Sequence, residues 1–152
     1  MLNYSNDQFF LNRPLIRERG LDLEAMQQRV QALALEYEGV FTAVTGTDLV
    51  RGNTSNDEFL ERLRNGWSAS ASGDVIIVPK PGWIQYSRSG TTHGSPFAYD
   101  THVPLLFYGW HVPAGITYER TYIRDIAPTV AALIHSPMPN ATTGRPIEDL
   151  FD

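Results

Sequence analysis

Two runs in this chain are apolar at successive positions: Val75-Ile76-Ile77-Val78, lying between Asp74 and Pro79, and Val103-Pro104-Leu105-Leu106-Phe107-Tyr108. Side chains along a strand point alternately to opposite faces, so a strand without polar alternation has no face to give to water. Such strands sit inside a sheet that helices cover on both sides. That requirement selects an α/β architecture, provided that segments of helical period stand between the strands.

They do. Leu23, Met26, Val30, Leu33 and Tyr37 recur at helical spacing, which predicts a helix over Leu21 to Glu38 with these residues on its buried face. Asp22 is placed to cap its start, Glu24 suits the positive helix end, and Gly39 stops it. A second helix is expected over Asp57 to Arg64, buried through Phe59, Leu60 and Leu63 and introduced by a loop from Asn53 to Asn56. A third is expected over Tyr122 to His135, with Ile123, Ile126, Ala127, Val130, Leu133 and Ile134 inward. Pro128 has no amide hydrogen, which moves the regular start of this helix toward Ala127. Further strands are expected at Gln8 to Leu11 and at Val40 to Val44, and Trp83 to Tyr86 continues the first apolar run beyond Pro79-Lys80-Pro81-Gly82. The expected whole is a layered α/β/α unit with a mixed, mostly buried sheet, forming a single domain over residues 1–152.

Composition removes several function classes. There are 12 basic against 17 acidic side chains, a net charge of -5. A nucleic-acid partner needs a basic face, so none is expected. No segment reaches the roughly 18 apolar residues of a membrane-spanning helix, so no membrane partner is expected either. Met1 to Asp7 lacks the basic start and apolar stretch of a secretion signal, and the reading is a soluble chain, processed or excised from a longer one. Cysteine is absent, so any metal must be held by His, Asp or Glu.

Those residue types gather once. The segment Gly90-Thr91-Thr92-His93-Gly94-Ser95-Pro96-Phe97-Ala98-Tyr99-Asp100-Thr101-His102 runs straight into the second apolar run. A polar loop at the end of a buried strand is where α/β enzymes place chemistry. His93 reads either as a solvated loop histidine or as an imidazole held at a cleft to bind metal or carry a proton. In an extended backbone Asp100 and His102 face the same way, so the carboxylate could orient the imidazole; a satisfied polar pair at a strand entrance is the other reading. Ser95 with His93 and Asp100 could form a nucleophile set, but no G-x-S-x-G elbow surrounds the serine. His111 and His135 read as strand-end and helix-end histidines, and Trp67, Trp83 and Trp110 as core or rim aromatics. Lys80 and Arg88 flank the approach to the loop and could meet an anion, although surface cations usually do nothing specific.

The same residues carry a resemblance. Thr91-Thr92-His93-Gly94-Ser95-Pro96, followed by Tyr99-Asp100-Thr101-His102-Val103-Pro104-Leu105-Leu106-Phe107-Tyr108-Gly109, resembles the C-terminal part of alkaline phosphatase superfamily proteins. The group it is most similar to is the bacterial periplasmic alkaline phosphatases that resemble type I phosphodiesterase/nucleotide pyrophosphatases. Asn6 to Asn12, Ser72 to Val75, Pro81 to Ile84 and Asp125 to Ala131 match as well, so the resemblance covers nearly the whole chain. It implies the C-terminal part of an alkaline-phosphatase-like fold. It also implies a parent enzyme with two zinc ions, in which a Thr or Ser nucleophile attacks phosphorus and water hydrolyses the phospho-enzyme. His93 matches the histidine of the family's H-G motif, the last zinc ligand. It is the one metal-binding residue the resemblance assigns here, with no catalytic or other cofactor-binding residue. For His102 the match implies a neighbouring structural role.

The family's nucleophile, its first metal-binding Asp, its Asp/His ligand pairs and its phosphate-clamping basic residues lie upstream of the matching segment and have no counterpart in residues 1–152. One histidine cannot hold a catalytic zinc, which needs roughly three or four protein ligands. The resemblance therefore implies the C-terminal domain of a larger zinc-dependent phosphomonoesterase, inactive in isolation. Its expected partners are the N-terminal catalytic part of the parent protein and a phosphate ester, and its expected compartment is the periplasm. The alternatives are a non-catalytic accessory module of the same fold, or a fragment of a phosphodiesterase or nucleotide pyrophosphatase.

Overall fold

A computed structural model describes residues 1–52, 57–84, 90–109 and 111–151. They divide into two units, Met1–Val103 and Pro104–Asp152.

The first unit begins with a hairpin. Asn6 and Asp7 both take left-handed backbone, with φ of 50° and 56°, the conformation of a tight two-residue turn. The turn folds β1 (Asn3–Ser5) against β2 (Gln8–Phe10). Then follow α1 (Arg13–Glu18), with Pro14 in its first turn, and α2 (Leu23–Leu35), capped by Asp22 as expected. The Asp22 carboxylate accepts the Ala25 amide at 2.8 Å. β3 (Val40–Thr45), α3 (Gly46–Arg51), α4 (Glu58–Asn65) and β4 (Val75–Pro79) complete the framework.

The sheet order is β1-β2-β4-β3. Every described pairing is antiparallel, where a mixed sheet was expected. A parallel component would need a further strand, and the second apolar run forms none among the described residues. The layering is as expected. On one face of β4, fully buried Val75 meets Ala43 and Ala34, with Phe9, Val30 and Ile77 against them. On the opposite face Ile76 meets Val44 and Leu49, with Leu60, Leu63 and Trp67 against them. The sheet thus lies between α2 on one side and α3 with α4 on the other, the α/β/α arrangement that strands apolar on both faces require.

The buried line of α2 is rotated from the expected one. Gln27 and Ala34 are buried, while Leu33 and Tyr37 are exposed. Gln27 is tolerated inside because its amide is satisfied: its nitrogen donates to Asp74 at 3.3 Å and its oxygen accepts the Thr47 hydroxyl at 2.6 Å. Periodicity searched for apolar residues alone cannot find such a position.

In the second unit a 3-10 turn at Ile123–Asp125 leads into α6 (Ile126–Leu133), and another 3-10 turn covers Glu148–Leu150. Pro128 lies in the first turn of α6, as its missing amide predicts. The expected inward face is corrected: Pro128, Thr129 and Ala131 are buried, whereas Ile123, Val130 and Ile134 are exposed. The buried side is the one that meets the returning chain, through polar groups. The Asp125 carboxylate accepts the amides of Tyr122 at 2.9 Å and Arg145 at 3.0 Å, and Thr129 Oγ1 accepts the Ile147 amide at 3.0 Å.

The run from Val103 to Tyr108 was expected to be a buried central strand. It lies outside the described sheet, and Val103, Leu106 and Tyr108 are exposed. A strand apolar on both faces needs cover on both faces, and of the apolar side chains in this run only Phe107 is half-buried. Trp83 and Ile84 are likewise exposed and not in a strand, and the rest of that expected strand, Gln85 and Tyr86, lies outside the described residues. So do the loop from Asn53 to Asn56, Arg88 and Trp110.

Candidate metal-ligand loop

After Phe97 the chain makes one helical turn, α5 (Ala98–Thr101). The amides of Asp100 and Thr101 donate to the Phe97 carbonyl, and that of His102 to the Ala98 carbonyl. The turn sends the Asp100 side chain back along the sequence, where it accepts the Ser95 amide at 2.9 Å. A ring from Ser95 to Asp100 is closed by that bond.

The ring is anchored to the framework of the first unit from two sides. Phe97 places its ring 5.5 Å from Phe41 of β3 and 6.1 Å from Phe59 of α4, and Tyr99 stacks on it at 5.8 Å. Arg62 of α4 donates to the Pro96 carbonyl at 2.7 Å and to Thr101 Oγ1 at 3.1 Å. Glu58, one turn earlier, holds the same guanidinium at 2.8 Å. The Tyr99 hydroxyl also accepts the Gly82 amide at 3.3 Å.

His93 precedes the ring and is exposed. It is flanked at a distance by Gly90 and directly by Gly94, whose φ values of 152° and 114° belong to glycine. The Asp100 carboxyl is held below the ordinary aspartate range, chiefly by the neighbouring Ser95 hydroxyl, then by the Ser95 and Gly94 amides, with a smaller contribution from the charge of His93. It is therefore ionised at neutral pH. Ser95 Oγ itself is buried beside that carboxylate and makes no hydrogen bond of ordinary geometry among the described residues.

Two expectations change here. Asp100 and His102 do not share a face, because the backbone is a helical turn in which residues two apart point about 200° apart. Asp100 serves Ser95 instead, and His102 ends the turn, exposed. The nucleophile set is not assembled either: Asp100 engages the main chain of Ser95, whose hydroxyl is buried rather than presented.

Among the described residues no group of three or more His, Cys, Asp or Glu could hold a metal ion. The exposed imidazole of His93 suits one coordination position, and the described residues offer no complete set around it. Of the residues that fix the loop, Phe59 was expected on the buried face of its helix, whereas Arg62 and Phe41 carry no sequence signal for this role. Arg62 lies 34 residues from Pro96 and 39 from Thr101, and no local pattern signals such a meeting.

No family model matches the chain. Curated relatives do. The chain is 35% identical over 146 residues to the alkaline phosphatase PhoV of Synechococcus elongatus, covering 96% of this chain and 26% of the relative. It is 32% identical over 147 residues to the alkaline phosphatase PafA of Elizabethkingia meningoseptica, covering 96% and 27%. A protein of Myroides odoratus named calcium-transporting ATPase is 31% identical over 150 residues, with 97% and 27% covered. The crystal structure of wild-type alkaline phosphatase PafA matches with a TM-score of 0.88 at 28% identity, over 99% of this chain and 29% of that one. The chain therefore spans about a quarter of the length of these relatives. The resemblance to alkaline phosphatases is borne out across nearly the whole chain, and the α/β fold with it.

Proposed function

We propose, from the premise that this chain is alkaline-phosphatase-like in both sequence and fold, that residues 1–152 are the C-terminal domain of a zinc-dependent phosphomonoesterase. In this reading His93 supplies one zinc ligand. The N-terminal part of the parent protein supplies the nucleophile and the other ligands, the substrate is a phosphate ester, and the compartment is the periplasm. The observation that carries the reading is the placement of His93: an exposed imidazole beside a loop that Arg62, Asp100 and Phe97 tie to the framework.

With His93 as one ligand, a pair of zinc ions completed by the rest of the parent protein would supply charge stabilisation for a displacement at phosphorus. This chain's share is to present a neutral imidazole, since a protonated one has no lone pair to give. Its loop must also hold that imidazole still, because a ligand fixed before the metal arrives loses little freedom on binding. The isolated chain has one such ligand and should turn nothing over.

The test is zinc content and turnover of the parent protein. His93→Ala should lose one zinc per chain and most activity toward p-nitrophenyl phosphate while the fold survives. Full zinc and full activity in that variant would overturn the assignment. His102→Ala should spare zinc, and zinc loss equal to that of His93→Ala would reverse the ranking of the two histidines. Turnover by the purified 152-residue chain that disappears with His93→Ala would show instead that a complete site lies within it.

A further inference from the structure

We propose that Asp100 is the positioning residue for His93, acting through the main chain at Ser95 rather than by touching the imidazole; the proposal rests on the reading of His93 as a zinc ligand. Between His93 and Ser95 stands Gly94, with a φ of 114° and open space where a side chain would be. A histidine joined to its framework through such a residue has no fixed direction of its own. Its aim depends on where the next residue is held.

Asp100 holds it. Its carboxylate takes the Ser95 amide at 2.9 Å, and a carboxylate acceptor makes this bond stronger than a neutral one. Ser95 Oγ is buried against the same group. Asp100 is in turn fixed because both flanks of its turn are pinned: Arg62 bonds the Pro96 carbonyl before it and Thr101 Oγ1 after it, and Phe97 is set between Phe41 and Phe59. The path from the framework to the ligand thus runs from α4 through Arg62 to the turn, from Asp100 to Ser95, and across one glycine to His93. Any carboxylate-like oxygen at position 100 would serve; a charge facing the imidazole is not required.

The experiment has two arms. In the 152-residue chain, NMR follows amide exchange at Ser95 and backbone order at His93, with the Leu11 amide, bonded to Asp74 at 2.8 Å, as a marker of the intact fold. Asp100→Ala should speed Ser95 exchange about tenfold or more and disorder His93, leaving Leu11 unchanged. Asp100→Asn, which keeps an acceptor oxygen, should restore most of both. In the parent protein, zinc affinity by chelator competition should fall about ten- to a hundredfold in Asp100→Ala and recover in Asp100→Asn, with melting temperature unmoved. Unchanged Ser95 exchange in Asp100→Ala would overturn the proposal, and so would a loosened loop with undiminished zinc affinity. If His93→Ala loses no zinc, the ligand reading itself has failed and takes the proposal with it, while the Ser95 measurement still reports whether Asp100 holds the loop.

Discussion

Arg13 Nε donates to Asp74 Oδ1 at 2.8 Å, joining the start of α1 to the entrance of β4. The partners are unequal. Asp74 is 3% exposed and also accepts the Leu11 amide, whereas Arg13 is 38% exposed. Removing the carboxylate strands a buried amide, the Gln27 side chain and the guanidinium at once. Asp74→Ala should therefore cost about 3 kcal/mol in urea denaturation. Arg13→Ala gives up a pair that water already screens and should cost about 1 kcal/mol or less. Equal losses would show that Asp74 is not the hub its bonds describe.

A second prediction concerns the chain's return onto α6. A side chain at Gly144 would collide with the Arg124 carbonyl and the Asp125 carboxylate. The backbone there cannot easily withdraw, because the Arg145 amide is bonded to Asp125 and the Ile147 amide to Thr129, each at 3.0 Å. Gly144→Ala should cost about 2–3 kcal/mol locally. Hydrogen exchange at Arg145 and Ile147 should rise accordingly, and wild-type protection at both positions would show that the return can be re-routed.

These two sites also mark what could be read from sequence. β4, the cap at Asp22 and the start of the third helix just ahead of its proline followed from strand period and backbone chemistry, which are local. β1 escaped because Asn3-Tyr4-Ser5 has no apolar pattern; its evidence lay in Asn6 and Asp7, two residues suited to a left-handed turn. Gln27 escaped because a satisfied polar group replaces an apolar one. At the candidate site the type and place of His93 were legible, but its support was not. The Ser95–Asp100 bond depends on a helical turn where extended chain was expected, and the Arg62 bonds depend on α4 and the loop meeting in space.

Two groups give opposite pH signatures. Tyr4 donates its hydroxyl to Asp7 at 2.9 Å, and burial, followed by that bond and the charge of Asp7, pushes its phenol up to about 12. A raised folded value means the contribution is whole below the ordinary tyrosine value of about 10 and is lost as pH climbs through the folded one. The ring resonances of Tyr4 should titrate late, and a midpoint near the ordinary value would show the bond to Asp7 broken in solution. Asp100 is depressed, chiefly by the Ser95 hydroxyl, so the part of its hold that comes from the negative charge is whole above about 3.9 and is lost as pH falls through its lower folded value, while an acceptor oxygen remains. The Ser95 amide shift should report that acid step and lose it in Asp100→Asn.

The last prediction separates the two anchors of the loop. Phe97 is half-buried between Phe41 and Phe59, so Phe97→Ala should cost about 2 kcal/mol, less than truncation of a fully buried ring. Arg62→Ala removes the bonds to the Pro96 carbonyl and Thr101 Oγ1 and should cost about 1 kcal/mol. The two side chains seize adjacent residues of one short segment. Once either is gone the segment is freer, and the other has less order left to protect. The double variant should therefore lose less than the sum of the single ones, by about 0.5 kcal/mol or more. A double-mutant cycle in urea measures this directly. Strict additivity would mean that Phe97 and Arg62 hold independent structures, and that the loop carrying His93 is tied at two unrelated points rather than clamped as one piece.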